Sequence, residues 1–362
     1  MCDNWVTGIK GTSPLHKEVV KAMPESTEII SSEPHGVSAW ATTGKITVKL
    51  LDGSPKQYFL KVNDCLRAEF TYYSASVIED VVSNLVPSPV GYGEYRDGES
   101  RVYFFLGEFH DMDRQTPPDP ETFAANIVKL HFNSKSPTGR FGFPETTVCG
   151  AFERTVKWED SWAKCYANLF SDVVGYDKEA NEPWPEFEMA CNQIIKYVIP
   201  RLLGVLQSGG RSIKPALIHG DLWEQNIGID KGTGHVLAFD AGCIYAHNEL
   251  EFGTWRCSWA SYFRSPAYQM YYQRYIRPSE PASEWDDRNR LYSLHIYLND
   301  SAGHPGSPSR KTAYNDMLFL CEKYAPLDRL ENYDPAKDIS LTGAFIQHET
   351  HTLNFTQAKV QS

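Results

Sequence analysis

Leu217-Ile218-His219-Gly220-Asp221-Leu222-Trp223-Glu224-Gln225-Asn226, followed by Val236-Leu237-Ala238-Phe239-Asp240, is the stretch around which the rest of the chain is organised. Apolar runs on both flanks read as short strands, and three polar side chains are left over: Asp221, Asn226 and Asp240. H-x-D-x-x-x-x-N, with a second Asp about a dozen residues on, is the spacing of a kinase catalytic loop and metal loop. The residue types suit that chemistry. One carboxylate, Asp221, accepts or orients the proton of an attacking hydroxyl. A carboxamide, Asn226, and a second carboxylate, Asp240, are hard oxygen ligands for Mg²⁺ on phosphates. The competing reading is two tight turns that use Asp and Asn for their turn chemistry.

The 362 residues are 41% hydrophobic and 22% charged, enough for a sizeable core and for two lobes. The formal net charge of −11 argues against a general nucleic-acid binder, but not against ATP, which needs only local positive charge. The eight cysteines are scattered, without C-x-x-C or zinc spacing. Neither an apolar leader after Met1 nor a run of membrane-span length is present, so a soluble cytoplasmic protein with reduced thiols is expected.

Taken in order, residues 1–27 suggest a helical lead-in. A β-meander follows, through Lys45–Leu50, the turn at Asp52-Gly53-Ser54-Pro55, and Gln57–Val62. The loop holding Gly36 and Ser38 is a candidate cover for phosphates through its N–H groups, though a single glycine equally suits an ordinary hairpin. Lys61 closes an apolar strand, as the phosphate-holding lysine of kinases does; a lysine ending an edge strand is the alternative. In the next helix Glu69 lies off the apolar stripe, placed either to orient the Lys61 amine or to favour the helix N-terminus. Arg101–Phe109 reads as a buried strand. Its end at Glu108 and Phe109 is the expected lobe junction, whose backbone would meet an adenine edge. The boundaries are therefore 1–108 for an N-terminal lobe and 109–362 for a mostly helical C-terminal lobe. Beyond the junction, Trp158 and Trp162 stand at helical spacing, and the stretch from about Asp334 shows no clear period.

The chain resembles the fructosamine/ketosamine-3-kinase family, within the aminoglycoside-phosphotransferase-like and choline-kinase-like small-molecule kinases. The resemblance lies in His219-Gly220-Asp221-Leu222-Trp223 with Asn226 and Asp240, in His247-Asn248-Glu249, and in Ser136-Pro137-Thr138-Gly139-Arg140-Phe141-Gly142-Phe143 followed by Trp158 and Trp162. Trp285-Asp286-Asp287-Arg288-Asn289 looks like the fungal branch. The matching positions are scattered over residues 29–325.

The resemblance implies an α+β, protein-kinase-like bilobal fold, with an antiparallel N-lobe sheet carrying one helix. It implies ATP and Mg²⁺ as cofactors and phosphorylation of a sugar hydroxyl on a ketosamine, free or on a protein amine. By position, Asp221 is the base, Asn226 and Asp240 bind metal, and Lys61 and Glu69 position phosphate. Trp223, Glu224 and His247 fall on the substrate side. Trp223 either stacks on the sugar or packs under the loop. Glu224-Gln225 stand where the family usually has a small residue or Pro and then Gly, and Glu224 would suit a cationic acceptor. Glu251 stands where the family usually has an Asp that braces the catalytic loop. Two other functions remain: a kinase of the same fold acting on another small hydroxyl compound, and a nucleotide-binding pseudokinase.

Overall fold

The computed structural model describes residues 5–6, 13–24, 28–36, 41–63, 68–150 and 152–343. They fall into two compact units. Of the described residues, one unit runs to Asp113 and includes Asp230–Phe239; the other comprises Arg114–Ile229 and those from Asp240 to Gly343.

The first unit is built on a five-stranded antiparallel sheet of β1 (Glu28–Pro34), β2 (Thr42–Lys49), β3 (Pro55–Asn63), β4 (Pro89–Asp97) and β5 (Ser100–Glu108), in the order β1-β2-β3-β5-β4. Period-two alternation determines which face is apolar. Ile46, Val48, Tyr58, Leu60, Phe104 and Leu106 pack on one side with Leu15, Val19 and Met23. Lys61, one residue past Leu60, therefore projects to the opposite face; it pairs in register with Thr43 and Phe105. Helix α1 (Ala68–Val81) connects β3 to β4 and opens with Glu69 in its first turn.

Among the described residues of the expected lead-in helix, most are not helical. Trp5–Val6 pairs with Leu15–His16, and of those described only Lys17–Lys21 forms a helical turn. Pro14 biases the residue before it toward extended backbone, and Val19, in that turn, and Met23, just past it, pack on the sheet.

The second unit is mainly helical: α2 (Pro120–Asn133), α3 (Trp162–Ala180), α4 (Pro185–Gln193, continued by a π turn and Ile199–Gly204), α5 (Pro266–Gln273), α6 (Trp285–Gly303) and α7 (Ser309–Tyr324). Two short strand pairs are set among them. Thr147–Cys149 pairs with Phe152–Arg154, and Ala216–Ile218 pairs with Ile244–Ala246.

Trp158 and Trp162 do not share a helix. Ser161 caps α3, its hydroxyl accepting from the Lys164 N–H at 3.3 Å, so Trp158 lies before the first turn. The Phe141-Gly142-Phe143 loop clips the second strand pair. Gly142 and Tyr245 exchange backbone hydrogen bonds at 2.9 Å in both directions. A Cβ on Gly142 would stand 2.6 Å from the Val156 carbonyl oxygen, and its φ of +133° suits glycine.

Candidate active site

The Ala216–Ile218 strand delivers His219, Gly220 and Asp221 into a loop that is braced from several sides. Glu251, fully buried, accepts from the N–H groups of His219 at 2.6 Å and Gly220 at 2.9 Å. The longer Glu therefore does what was expected of an Asp. Burial alone would raise its pKa, but the hydrogen bond and charge of His131 and the Gly220 N–H outweigh this and hold it below the usual carboxylate range. The Trp255 indole N–H donates to the Leu222 carbonyl at 2.9 Å. Arg114 donates to the Gln225 carbonyl at 2.6 Å.

Within this frame the Asn226 amide nitrogen donates to the Asp221 carboxylate at 2.8 Å and to the Asp221 carbonyl at 2.9 Å. Its amide oxygen remains as a hard donor. Asp240 is exposed and adopts a left-handed φ of +56°, uncommon for a residue other than glycine. Asp221 is half-buried. Desolvation, and next the like charge of Asp240, push its pKa up to about 7, against the Asn226 hydrogen bond and the Arg154 charge. Asn226 and Asp240 thus offer an amide oxygen and a carboxylate, a donor set that suits Mg²⁺ shared with phosphate oxygens and water. Among the described residues no cluster of three or more His, Cys, Asp or Glu side chains forms a metal cage.

Two substrate-side expectations are corrected. Glu224 is buried, and its carboxylate accepts from the Ser261 N–H at 2.6 Å and the Phe263 N–H at 3.2 Å, so it faces the protein rather than an acceptor. His247 is fully buried with both ring nitrogens engaged, by the Tyr292 hydroxyl at 2.8 Å and the Ser279 hydroxyl at 2.9 Å. Burial drives its pKa down to about 4. Trp223 is half-buried, which leaves stacking and packing both open.

In the first unit, Gly36 sits at the start of the β1–β2 loop with φ +79°, while Ser38 lies outside the described residues. A hydrogen bond with Tyr73, and next burial, raise the Tyr92 pKa, and the charge of Glu69 is among the further causes. The N–H groups of Glu108 and Phe109 are spent on Ser88 at 2.9 Å and Gln57 at 3.2 Å, so they are not free to meet a base. The Glu108 carboxylate is ion-paired to Lys56.

Three groups escaped the sequence reading. Trp255 and Arg154 reach the loop, and His131 its brace Glu251, from distant segments, and they carry no local signature. Arg154 is buried, donates to the Gly242 carbonyl, and bonds the Thr147 hydroxyl at 3.0 Å.

A model of the family described as "Fructosamine kinase" matches residues 27–313. The chain is 29% identical over 217 residues to a chloroplastic protein-ribulosamine 3-kinase of Arabidopsis thaliana, covering 59% of this chain and 60% of that protein. It is 32% identical over 188 residues to the ketosamine-3-kinase of Mus musculus, covering 50% and 54%. The alignment thus spans less than two thirds of the length of these relatives. Among solved structures, a Haemophilus somnus protein assigned as a fructosamine-3-kinase superposes with a TM-score of 0.63 at 17% identity, covering 81% of this chain and 91% of the other. The aminoglycoside phosphotransferase APH(4)-Ia superposes at 0.54 with 15% identity, covering 82% and 95%. At these identities the superpositions establish the kinase-like α+β fold and nothing finer.

Proposed function

The chain belongs to the fructosamine kinase family, and from that premise we propose that it transfers the γ-phosphoryl group of ATP to a sugar hydroxyl of a ketosamine. The observation that carries this reading is the braced loop on which Asn226 holds the Asp221 carboxylate, with Asp240 on the neighbouring loop. Asp221 orients the attacking hydroxyl and accepts its proton. Asn226 and Asp240 hold Mg²⁺, which when bound neutralises charge on the phosphates. Lys61 is assigned to the phosphates, with Glu69 orienting it, and the Gly36 loop to covering them. Positioning and charge neutralisation dominate over proton abstraction in such transfers. ATP use is supported by a structural neighbour of the same fold, APH(4)-Ia, solved with AMP-PNP and hygromycin B.

The inward turn of Glu224 removes the observation that favoured a different, cationic acceptor. No helix among the described residues is long and apolar enough to cross a membrane. We place the protein in the cytoplasm on its scattered cysteines, with imaging of the tagged chain as the check.

The test is ATP consumption with Mg²⁺ against ribulose-lysine, fructose-lysine and a panel of amino alcohols, with Asp221→Ala as the blank. Turnover of either ketosamine supports the reading. Turnover confined to an amino alcohol replaces the acceptor, and silence throughout removes the activity.

A further inference from the structure

A buried guanidinium without a carboxylate partner stands behind both loops of the site. Arg154 ends the strand Phe152–Arg154 and is 6% exposed. Its donors go to neutral acceptors, the Gly242 carbonyl and the Thr147 hydroxyl. The other deeply buried arginines of this unit are paired: Arg288 with Glu249, and Arg290 with Asp316 and Asp338. Arg154 forms no ion pair among the described residues. A buried charge left unpaired is costly, so something else must offset it.

The backbone shows where that charge acts. One terminal nitrogen of Arg154 lies 3.5 Å from the place a Cβ would take on Gly220, and the other 2.6 Å from the same place on Gly242. Gly220 directly precedes Asp221, and Gly242 lies two residues past Asp240. The guanidinium thus occupies the seam between the two loops. Asp240 and Glu251 both act on Asp221 as like charges, and Arg154 acts on it as a counter-charge. Glu251 is already served by two backbone N–H groups and His131.

We propose that Arg154 is a positioning residue whose fixed positive charge holds the Asp221 and Asp240 loops together against the repulsion of their carboxylates. The activity part of this rests on the proposed phosphotransfer; the stability part does not.

The test is a double-mutant cycle on the full chain, followed by urea unfolding without Mg²⁺ or nucleotide, using Arg154→Met, Asp240→Asn and the pair. Asp240→Asn is expected to raise the folded-to-unfolded ratio in the Arg154→Met background relative to its effect in the native one, a coupling of about tenfold. Additivity within about twofold overturns the proposal. Where Arg154→Met does not fold, recovery of folded protein by adding Asp240→Asn supports it, and failure of the pair to fold overturns it.

In the activity arm, Arg154→Lys keeps kcat within about fivefold while Arg154→Met loses about a hundredfold. Thr147→Val, which removes the hydroxyl anchor but leaves the charge, stays within about threefold. Equal losses for Lys and Met, or a Thr147→Val loss as large as that of Met, reduce Arg154 to a structural anchor and overturn the proposal. If the native chain turns over no ketosamine, that failure belongs to the proposed function, and the unfolding cycle alone decides on Arg154.

Discussion

The Asn226 amide nitrogen donates to the Asp221 carboxylate at 2.8 Å, tying the expected metal ligand to the expected base. Rotation of the Asn226 amide would turn its oxygen onto a carboxylate, so this bond also fixes which atom is left to face a cation. The two roles are geometrically coupled.

Unequal losses follow for the two aspartates. Asp240→Ala removes a charged ligand and is expected to lower kcat by at least about 10⁴-fold, whereas Asp221→Asn keeps positioning and leaves about 10⁻³ of the activity. Steady-state ATP consumption on a ketosamine measures both. Equal and mild effects would contradict the assignment.

Glu251→Gln places an amide NH₂ where a carboxylate oxygen now receives a backbone N–H. The substitution is expected to cost about 3 kcal/mol of stability and to lower kcat more than it raises KM. Urea unfolding and steady-state kinetics read the two effects separately; a variant as stable and active as the native chain would remove Glu251 as the brace.

Glu224 faces Ser261 and Phe263, so its loss should be felt in folding first. Glu224→Ala is expected to destabilise by about 2 kcal/mol, while discrimination between cationic and neutral acceptors stays unchanged. A selective rise in KM for cationic acceptors would return Glu224 to the substrate side.

His247 and His295 are buried, and burial drives their pKa values down to about 4 and about 3. Unfolded histidine titrates near 6.5, so the folded values are depressed. Both residues are neutral in both states above that pH, where their contribution is fully present. As pH falls below 6.5 the unfolded state takes up protons that the folded state refuses, and stability is lost until the folded values are reached. The loss from pH 6.5 to 4 is about 3 kcal/mol for each, by unfolding at fixed temperature. His247→Gln should flatten the curve in that window.

Gly142→Ala is expected to cost about 2 kcal/mol or more, since its Cβ would meet the Val156 carbonyl at 2.6 Å. Thermal melting gives the value, and a neutral substitution would show that the clip relaxes.

Local pattern sufficed for the meander, because alternation at Ile46, Val48, Tyr58 and Leu60 and the turn at Asp52-Gly53 need only near neighbours to be read. The spacing of Asp221, Asn226 and Asp240 is likewise a property of one stretch of chain, and the contact of Asn226 with Asp221 is local to it. Local pattern failed at Trp158, where a cap at Ser161 decides the helix start, and in the lead-in, where packing on the sheet outweighs helical spacing. The direction in which Glu224 and His247 point, and the convergence of Glu251, Trp255 and Arg154 on one loop, were decided only by the tertiary structure. Spacing along a chain specifies which groups share a turn. Whether a carboxylate meets solvent or a backbone N–H depends on which distant segment comes to lie against it, and burial and electrostatics are set by that arrangement.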